Sequence, residues 1–299
     1  MCGSSISKRC SQSRGSRGRP MPDRTAHHAR HWPLIAALVA LSAPLVVMYV
    51  YQILDTVTTT PPGSIIPDGF TLRHWRFLTG PLSEGGPTIW SLAGNTLVFA
   101  ACTAVMVTSI SLTAAYALSR LNMPGRGFFL GGLIVLHAFP TITLIVAVFL
   151  ILQYMGLYDT LTGVILVKVA FELPFGIWIM KGFYDSVPWE IEMAGVTDGA
   201  DRFTVWRLLV LPQVQPGLAA ILIFSFLSGW SEFILPLVLA PANAPQVLAT
   251  YLASLIADDR FADFSLFKAV SIFYALPVLA IYVIFQKKLM NIYGGGTKG

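Results

Sequence analysis

Lys168, Glu172 and Glu232 are ionisable side chains that lie within long apolar stretches of the sequence. Charge at membrane depth is costly, and such residues usually face the interior of a helix bundle. Residues 168 and 172 are four positions apart, so on a helix they share one face and can form an ion pair. Pro236 cannot donate a hydrogen bond to the carbonyl of Glu232, which exposes backbone polarity nearby. These groups could form structural ion pairs, relay protons or line a polar path.

Metal, thiol and enzyme chemistry have little support in the sequence. The cysteines are Cys2, Cys10 and Cys102, with no CxxC pair, and three histidines cluster in the polar N-terminal tail. This pattern predicts neither a disulfide framework nor a metal site. A membrane enzyme would need convergent nucleophile, acid/base or metal groups, and the polar residues of the apolar stretches do not form such a set. No GxxxxGK[ST] phosphate-binding loop occurs, so we expect that the chain does not hold ATP itself.

The elements that must position the charged residues are membrane-spanning helices. Of 299 residues, 55% belong to the set AVILMFWYC and 12% are charged, and the mean hydropathy is +0.67. A soluble domain of this composition would expose large apolar patches, which excludes an ordinary cytosolic enzyme, a disordered chain and a disulfide scaffold. Stretches of ~20 apolar residues can span a bilayer. Six such stretches predict an all-α membrane protein: residues 33–54, 90–118, 127–153, 161–182, 216–238 and 264–286.

Lysine and arginine predict the orientation of the spans, because short cytoplasmic loops carry an excess of positive charge. Positive residues concentrate in the tail 1–32, after the second and fourth spans, and in the C-terminal tail, whereas the opposite loops carry more acid than base. Both termini are therefore predicted to be cytoplasmic. The tail 1–32 is rich in Ser, Arg and Gly without an apolar period, so we expect it to be disordered. Met21 is an alternative start to Met1.

The segment after the fourth span, residues 187–212, predicts two short helices. Ser186 can cap the first helix and Pro188 suits its first turn, while Gly199 predicts its end. Asp201 can cap the second helix, which the next proline should end. Its apolar stripe comprises Phe203, Trp206 and Val210. The small residues at the turn allow the close approach of another protein surface. The alternative is a connector with an amphipathic helix that lies on the bilayer.

This hairpin resembles the EAA loop of importer-type ABC transporter permeases, in particular the sugar branch with its maltose-permease G-type members. The matching positions are Pro188, Glu190, Glu192, Ala194, Asp198, Gly199, Ala200, Leu211 and Pro212. The sequence departs from the family pattern at Met193 and Gly195, where the family has a glutamate and an alanine. In the family, that glutamate helps to anchor the loop on the ATPase. The resemblance leaves the anchor in this chain to Glu192, to another residue or to apolar contact.

The resemblance covers nearly all of residues 33–299 and implies a six-span type I ABC importer permease fold. It includes Asn95-Thr96 in the second span and residues 229–233 in the fifth, where Ser231 replaces the family asparagine. It implies a transport subunit without enzymatic activity in the cytoplasmic or inner membrane of a bacterium or archaeon. The implied partners are a second permease, which makes a heterodimer, two ATPase subunits that bind ATP-Mg below the membrane, and an extracytoplasmic solute-binding protein.

Residues of the second and fifth spans are candidates for the translocation path. Sugars favour aromatic faces beside hydrogen-bond acceptors, an arrangement that Trp230 and Phe233 could provide around Glu232. The full candidate set is Asn95, Trp230, Ser231, Glu232 and Phe233. The alternative is that Glu232 is a buried residue of the fold or of a subunit contact.

The outer loop, residues 239–263, is longer than a minimal connection, and loops of this length are often functional. Helical spacing of apolar residues predicts a short helix across the pore mouth, and acidic residues mark its watery side. These residues are Leu248, Tyr251, Leu252 and Leu255, followed by Asp258, Asp259 and Asp263. The resemblance implies that a tip contacts the binding protein: Asn243, Ala244, Pro245 and Gln246. The alternative is a passive connector whose helix packs on the sixth span.

Two other functions compete with the importer subunit on the sequence. One is an ion-coupled secondary transporter using Lys168, Glu172 and Glu232, although such folds usually contain repeats and none is clear here. The other is the membrane enzyme considered above. For the cargo, the resemblance favours sugars, with polyols and glycerol phosphate as alternatives. A phosphate ester would need a cation in the pore. Lys168 is the sole candidate in the central spans, and Glu172 is expected to occupy it, which favours a neutral sugar.

Overall fold

The computed structural model describes residues 32–59, 68–82, 86–257 and 263–294. The chain divides into two units, residues 1–51 and 52–299. The predicted disorder of the N-terminal tail, and the predicted positions of Asp258 and Asp259, fall outside the described residues.

Helices dominate the described residues. After α1 (Trp32–Thr56), a short antiparallel ladder pairs β1 (Thr58–Thr59) with β2 (Gly69–Phe70), and a 3₁₀ helix covers Arg73–Leu78. The remaining helices are α2 (Ile89–Arg120), α3 (Arg126–Ala138), α4 (Thr141–Tyr154), α5 (Leu161–Asp185), α6 (Trp189–Thr197), α7 (Arg202–Val205), a π-helical stretch (Trp206–Val210), α8 (Leu211–Gln213), α9 (Gln215–Trp230), α10 (Ile234–Leu239), α11 (Leu248–Ser254) and α12 (Phe264–Gly294).

The described helices allow between four and six spans, and two of the six predicted spans are not continuous helices. In the described part of the chain, α1, α2, α5 and α12 can each cross a membrane, and two bent helix pairs raise the number to six if each is one span. The predicted span 127–153 is wrong as a single helix, because α3 and α4 meet at 100°. Phe139 is extended there with ψ 130°. A proline has no N–H to donate and disfavours helical geometry in the preceding residue, so Pro140 explains the break.

The predicted fifth span, 216–238, is interrupted as well. Helix α9 has 16 residues, which at 1.5 Å per residue gives about 24 Å, less than the ~30 Å of a bilayer core. The helix ends at Trp230, and α10 begins only at Ile234. A second bend, of 72°, lies at the other end of α9, where it meets residues 202–213.

The centre of the larger unit is the packing of α2 against α5 and α9. A methyl group at Gly176 would lie 2.5 Å from Ser111 Oγ and 3.1 Å from Val107 Cγ1, so the backbones of α5 and α2 are in close approach. Membrane helices associate mainly through such packing, since lipid tails remove the hydrophobic driving force. The core here includes Phe99, Val107, Val164, Met180 and Tyr184, all nearly inaccessible.

A second apolar cluster joins the 3₁₀ helix to α2, α11 and α12. Its buried members include Phe77, Ile89, Leu92, Trp230, Leu248, Tyr251, Leu252 and Val270. The predicted helix of the outer loop is therefore present as α11, and its apolar face is buried against this cluster rather than left in water.

Candidate functional site

The hairpin predicted from residues 187–212 is present as two helical segments joined by a tight turn. Its first helix, α6, begins two residues later than predicted, because Pro188 rather than Ser186 occupies the N-cap position. Ser186 instead follows the end of α5, where its hydroxyl donates to the carbonyl of Phe183 at 2.7 Å. Gly199 has φ +87°, a left-handed conformation that glycine adopts without a steric cost. It ends the helix as the sequence predicts.

Asp201 caps the second segment as predicted. Its carboxylate accepts the backbone N–H groups of Phe203 and Thr204 at 3.1 and 3.3 Å, and it also accepts the Thr204 hydroxyl. The Thr204 hydroxyl, together with these backbone donors, holds the pKa of Asp201 below its ordinary value. Pro212 does not end the segment, because the chain passes through a π-helical stretch into α8 and bends at Val214.

The two segments of the hairpin are in close contact at Gly195, one of the two departures from the family pattern. A Cβ at this buried position would lie 2.7 Å from Leu209 Cδ1 and 2.9 Å from Val205 Cγ2. Side chains at that separation have to shift, so the π-helical segment can approach α6 this closely because residue 195 lacks a side chain.

Glu192 is buried within the molecule and does not face the surface of the hairpin. Its Oε1 lies 2.6 Å from Arg120 Nε, and the two side chains are only 6% and 9% exposed. Its Oε2 accepts a hydrogen bond of 3.4 Å from the hydroxyl of Tyr116. Glu192 therefore joins the hairpin to the end of α2, and it is not available as an ionic anchor for another subunit.

Arg120 also binds the end of α5. Its guanidinium donates to the carbonyls of Tyr184 and Val187 at 2.9 and 2.7 Å. It lies 5.5 Å from the ring centroid of Trp189, within the range of a cation–π contact. The second segment of the hairpin reaches the same place, where Trp206 Nε1 donates to the Tyr184 hydroxyl at 3.0 Å. These residues form one connected group: Tyr116, Arg120, Tyr184, Glu192 and Trp206.

An apolar edge remains exposed on the hairpin. It consists of Trp189, Met193 and Val196, which recur on one face of α6 and are 47%, 41% and 41% exposed. Phe203, at the start of the second segment, is 63% exposed. Of the other predicted residues of the hairpin, Glu190, Ala194, Asp198, Gly199 and Pro212 are exposed, and Ala200 and Leu211 are half-buried. Large apolar side chains grouped on one surface are typical of interaction sites.

The three charged residues singled out in the sequence, Lys168, Glu172 and Glu232, form one cluster. Lys168 Nζ lies 3.1 Å from Glu172 Oε1, the pair expected from the sequence, and 2.7 Å from Glu232 Oε2, which the sequence did not indicate. The Ser228 hydroxyl donates to Glu172, and Glu232 Oε1 accepts the backbone N–H of Leu235 at 3.2 Å. Both carboxylates are thus held by donors within the protein, and Lys168 links α5 to the break between α9 and α10.

The candidate path residues of the fifth span lie in different environments. Trp230 is 3% exposed and stacks between Phe226 and Tyr274 at 6.0 and 5.9 Å. Ser231 is exposed and Phe233 is half-buried, while Glu232 is engaged with Lys168. Trp230 is therefore enclosed in the second apolar cluster, whereas its neighbours at the helix break are partly accessible.

The start of the outer loop is bound by Asp159, in the connection between α4 and α5. Its carboxylate accepts the N–H of Ala242 at 3.0 Å, and the N–H and side-chain amide of Asn243 at 2.8 and 2.6 Å. Asp159 adopts φ +57°, which is uncommon for a residue with a side chain. The backbone hydrogen bond from Ala242, followed by those from Asn243, holds the pKa of Asp159 below its ordinary value, although desolvation acts in the opposite direction.

The end of the same loop is bound by α2. Asn95 Nδ2 donates to the carbonyl of Gln246 at 2.9 Å. The hydroxyl of Thr96 accepts the N–H of Leu248 at 2.8 Å and donates to the carbonyl of Leu92 at 2.8 Å. The tip between these two attachments is largely exposed, with Asn243, Pro245 and Gln246 accessible and Ala244 half-buried.

Several of these functional contacts were not apparent from the sequence. In the sequence, Arg120 belongs to the positive charge after the second span, and Asp159 belongs to the acidic residues of the opposite loops. Their partners are distant along the chain, so no local pattern indicated them. For a metal ion, the described residues contain no group of three or more His, Cys, Asp or Glu side chains that could supply the ligands.

Comparisons with known proteins agree with this arrangement. The family model described as "binding-protein-dependent transport system inner membrane component" matches residues 106–287, more than half of the chain. The trehalose transport system permease protein SugB of Mycobacterium tuberculosis is 28% identical over 92% of this chain and 99% of its own length. The diacetylchitobiose uptake system permease protein NgcG of Streptomyces coelicolor is 29% identical over 88% and 87%.

Two further similarities concern maltose transport and a solved structure. The maltose/maltodextrin transport system permease protein MalG of Escherichia coli is 26% identical over 90% of this chain and 95% of its own length. A chain in the crystal structure of a bacterial ABC transporter involved in the import of the acidic polysaccharide alginate superposes with a TM-score of 0.71, covering 90% of this chain and 99% of that chain at 21% identity.

Proposed function

Because this chain belongs to the family of binding-protein-dependent transport system inner membrane components, we propose that it is the permease subunit of an ATP-driven sugar importer. Its fold is that of an ABC importer permease. Relatives that align over most of their length are named for transport of trehalose, diacetylchitobiose and maltose or maltodextrin, which supports a sugar as cargo. The chain acts as a transport subunit, and a separate ATPase subunit binds and hydrolyses ATP-Mg.

The exposed apolar edge of the hairpin carries the proposal that the hairpin couples the permease to the ATPase. Trp189, Met193 and Phe203 are accessible, whereas Glu192 is withdrawn into an ion pair with Arg120. Of the three anchors left open by the sequence, apolar contact is thus the one that these positions support. We propose that Met193, which stands at the position of the family glutamate, contacts an apolar surface of the ATPase.

The assembly that we propose contains a second permease, two ATPase subunits and an extracytoplasmic solute-binding protein. The hairpin and both termini face the cytoplasm of the bacterial or archaeal cell, in line with the distribution of Lys and Arg. The outer loop faces the binding protein and offers its uncharged tip, Asn243–Gln246. Attachment of the loop at both ends supports this role, because a preorganised surface loses less conformational entropy when it binds a partner.

A neutral sugar remains the favoured cargo over a polyol or glycerol phosphate. Lys168 contacts two carboxylates, which already neutralise its positive charge, so it does not offer a cation to a phosphate ester. The accessible residues at the helix break, Ser231 and Phe233, together with Asn95, could contact a solute. Contact with the solute stays a prediction for these residues.

Reconstitution tests the proposed function. The complex that purifies with this chain is placed in vesicles with ATP inside, and uptake of labelled trehalose, diacetylchitobiose and maltose is measured with and without the binding protein. We expect uptake of a sugar that requires both ATP and the binding protein, with ATP hydrolysis stimulated by the loaded binding protein. Uptake that persists without ATP and collapses with a protonophore would instead identify an ion-coupled transporter.

The hairpin contact is tested by Met193→Glu, which adds a charge to the apolar edge. Gln213→Glu adds the same charge at an exposed position one residue after the hairpin and serves as the control. We expect Met193→Glu to retain about tenfold less ATPase during purification. A charge that is desolvated at the interface would weaken the binding free energy by ~1.4 kcal/mol, which corresponds to this factor. Stronger retention in Met193→Glu would show that the ATPase recognises a carboxylate, as in the family pattern.

A further inference from the structure

We infer that the Arg120–Glu192 ion pair is the joint through which the hairpin transmits ATPase-driven movement to α2 and α5. The inference rests on the proposed function, since it assumes that the ATPase binds the hairpin. It assigns a role to two residues that cannot themselves touch the ATPase in this arrangement, because their side chains are 9% and 6% exposed.

The hairpin can act as a single rigid body. Its turn is fixed by the left-handed Gly199 and by the N–H of Ala200, which donates to the carbonyl of Gly195 at 3.1 Å. Its two segments are in direct contact at Gly195, where the side chains of Val205 and Leu209 fill the space that a methyl group would need. A force applied at the apolar edge therefore moves both segments together, since packed elements transmit strain.

One guanidinium connects this rigid body to two spans. Arg120 belongs to the last turn of α2, and its Nε contacts Glu192 of the hairpin. A terminal nitrogen donates to the carbonyl of Tyr184, in the last turn of α5, and to that of Val187, which follows α5. The planar fork of arginine can serve a carboxylate and carbonyls at the same time, which the single ammonium group of lysine cannot do with the same geometry. Movement of Glu192 thus displaces α2 and the end of α5 in concert.

An aromatic layer supports the same joint from the other side. Tyr116 and Tyr184 pack edge to face at 5.5 Å, and Trp206 of the second segment donates to the Tyr184 hydroxyl. A satisfied hydrogen bond between packed side chains, such as that between Trp206 and Tyr184, helps to make the surrounding region rigid. Both segments of the hairpin are therefore linked to α2 and α5 through adjacent contacts.

A neighbouring charge pair, Arg126 with Asp185, is exposed and supplies a matched control. Arg126 lies 4.0 Å from Asp185, and the two side chains are 37% and 43% exposed. Exposed pairs at this distance are screened by water and contribute little. A substitution at Arg126 should therefore leave the movement of the hairpin unaffected.

The test uses Arg120→Lys, Glu192→Gln and the double variant in the reconstituted complex, with Arg126→Lys as control. Both lysine variants keep the positive charge that orients the membrane spans. The measurements are the amount of ATPase that purifies with the chain and the number of sugar molecules taken up per ATP hydrolysed. We expect ATPase retention to persist while uptake per ATP falls about tenfold, a coupling effect in the range typical between two sites. The double variant should be no worse than either single one, because both break the same contact.

Other results would overturn the inference. Loss of the ATPase from Arg120→Lys and Glu192→Gln would mean that the pair serves attachment alone, and unchanged uptake per ATP would mean that movement passes elsewhere. An equal defect in Arg126→Lys would remove the specific role of Arg120. A wild-type chain that retains no ATPase contradicts the proposed function itself, and that result is visible before any variant is compared.

Discussion

The hairpin and the outer loop are both connections between spans, but they are attached to the helix bundle by different physical means. The hairpin is held by a desolvated ion pair, Glu192 with Arg120, and by aromatic rings packed around the buried Tyr184. The outer loop is held at its start by a half-buried aspartate, Asp159, and at its end by neutral side chains of α2. Both attachments use few residues, and each crosses a long distance in sequence.

The difference determines how strongly each connection is tied to the bundle. Removing one partner of a buried ion pair leaves an uncompensated charge, and the resulting loss of stability is large. The hydrogen bonds that Asp159 accepts at the start of the outer loop are exposed and exchange with water, so their net contribution is small. The hairpin is therefore suited to transmit force, whereas the outer loop is suited to present a defined surface that can separate at moderate cost.

The largest effect is expected from Glu192→Ala. The substitution leaves the guanidinium of Arg120 buried without its carboxylate, which should lower the free energy of unfolding by about 3–5 kcal/mol. Thermal unfolding of the purified chain in detergent measures the change. Glu190→Ala, at an exposed carboxylate of the same helix, should change stability by less than ~0.5 kcal/mol. A comparable loss in both variants would contradict the contrast between buried and exposed attachment.

The next effect concerns the contact inside the hairpin. Gly195→Val should destabilise by about 1–3 kcal/mol, because its side chain overlaps Val205 and Leu209 in a packed position. Gly182→Val places the same side chain on α5, where a Cβ meets nothing within 4 Å. The difference between the two variants isolates overpacking from the change in helix propensity. Equal stability of the two would mean that the hairpin segments are not in firm contact.

At the outer loop, Thr96→Val should have a smaller effect, about 1–2 kcal/mol. The change leaves the N–H of Leu248 without its acceptor in a buried position, and an unsatisfied donor carries a desolvation cost of this size. Thr103→Val is the control, because Thr103 is buried on the same helix and its hydroxyl has no hydrogen-bond partner among the described residues. If the control destabilised as much, the attachment of the loop would not explain the loss.

The hairpin and the spans could be predicted from sequence to the extent that their signals are local. Gly199 and Asp201 act within one turn of the chain, so the turn and the second cap followed from residue type. The break at Pro140 was not predicted, because the apolar run on both sides of this proline is continuous and favours a single span. The partner of Lys168 could be predicted four residues away, whereas Glu232 is 64 residues away and depends on how α5 packs against α9. Contacts between residues so far apart in sequence can be identified only from the tertiary structure.

The smallest effect is expected from the attachment of the outer loop by Asp159. This attachment can be recognised by its dependence on pH. Because hydrogen bonds from Ala242 and Asn243 hold the pKa of Asp159 below its ordinary value, the ionised form favours the bound loop. This contribution is complete above the pKa of an unfolded aspartate, near ~4, and is lost as the pH falls through the lower pKa of the folded state. Amide hydrogen exchange of Ala242 and Asn243 should therefore stay slow from pH 7 to 5 and accelerate, after correction for intrinsic rates, only below pH ~4.

The N–H of Leu248 supplies the internal reference for this measurement, since it donates to the neutral hydroxyl of Thr96. Its exchange should show no such transition, and Asp159→Asn should remove the transition at Ala242 and Asn243 while raising their exchange at neutral pH. The asparagine amide brings a donor to a site where two backbone N–H groups need acceptors, so one of them loses its partner. A transition that persists in Asp159→Asn would assign the titration to another group and leave the loop without its charged attachment.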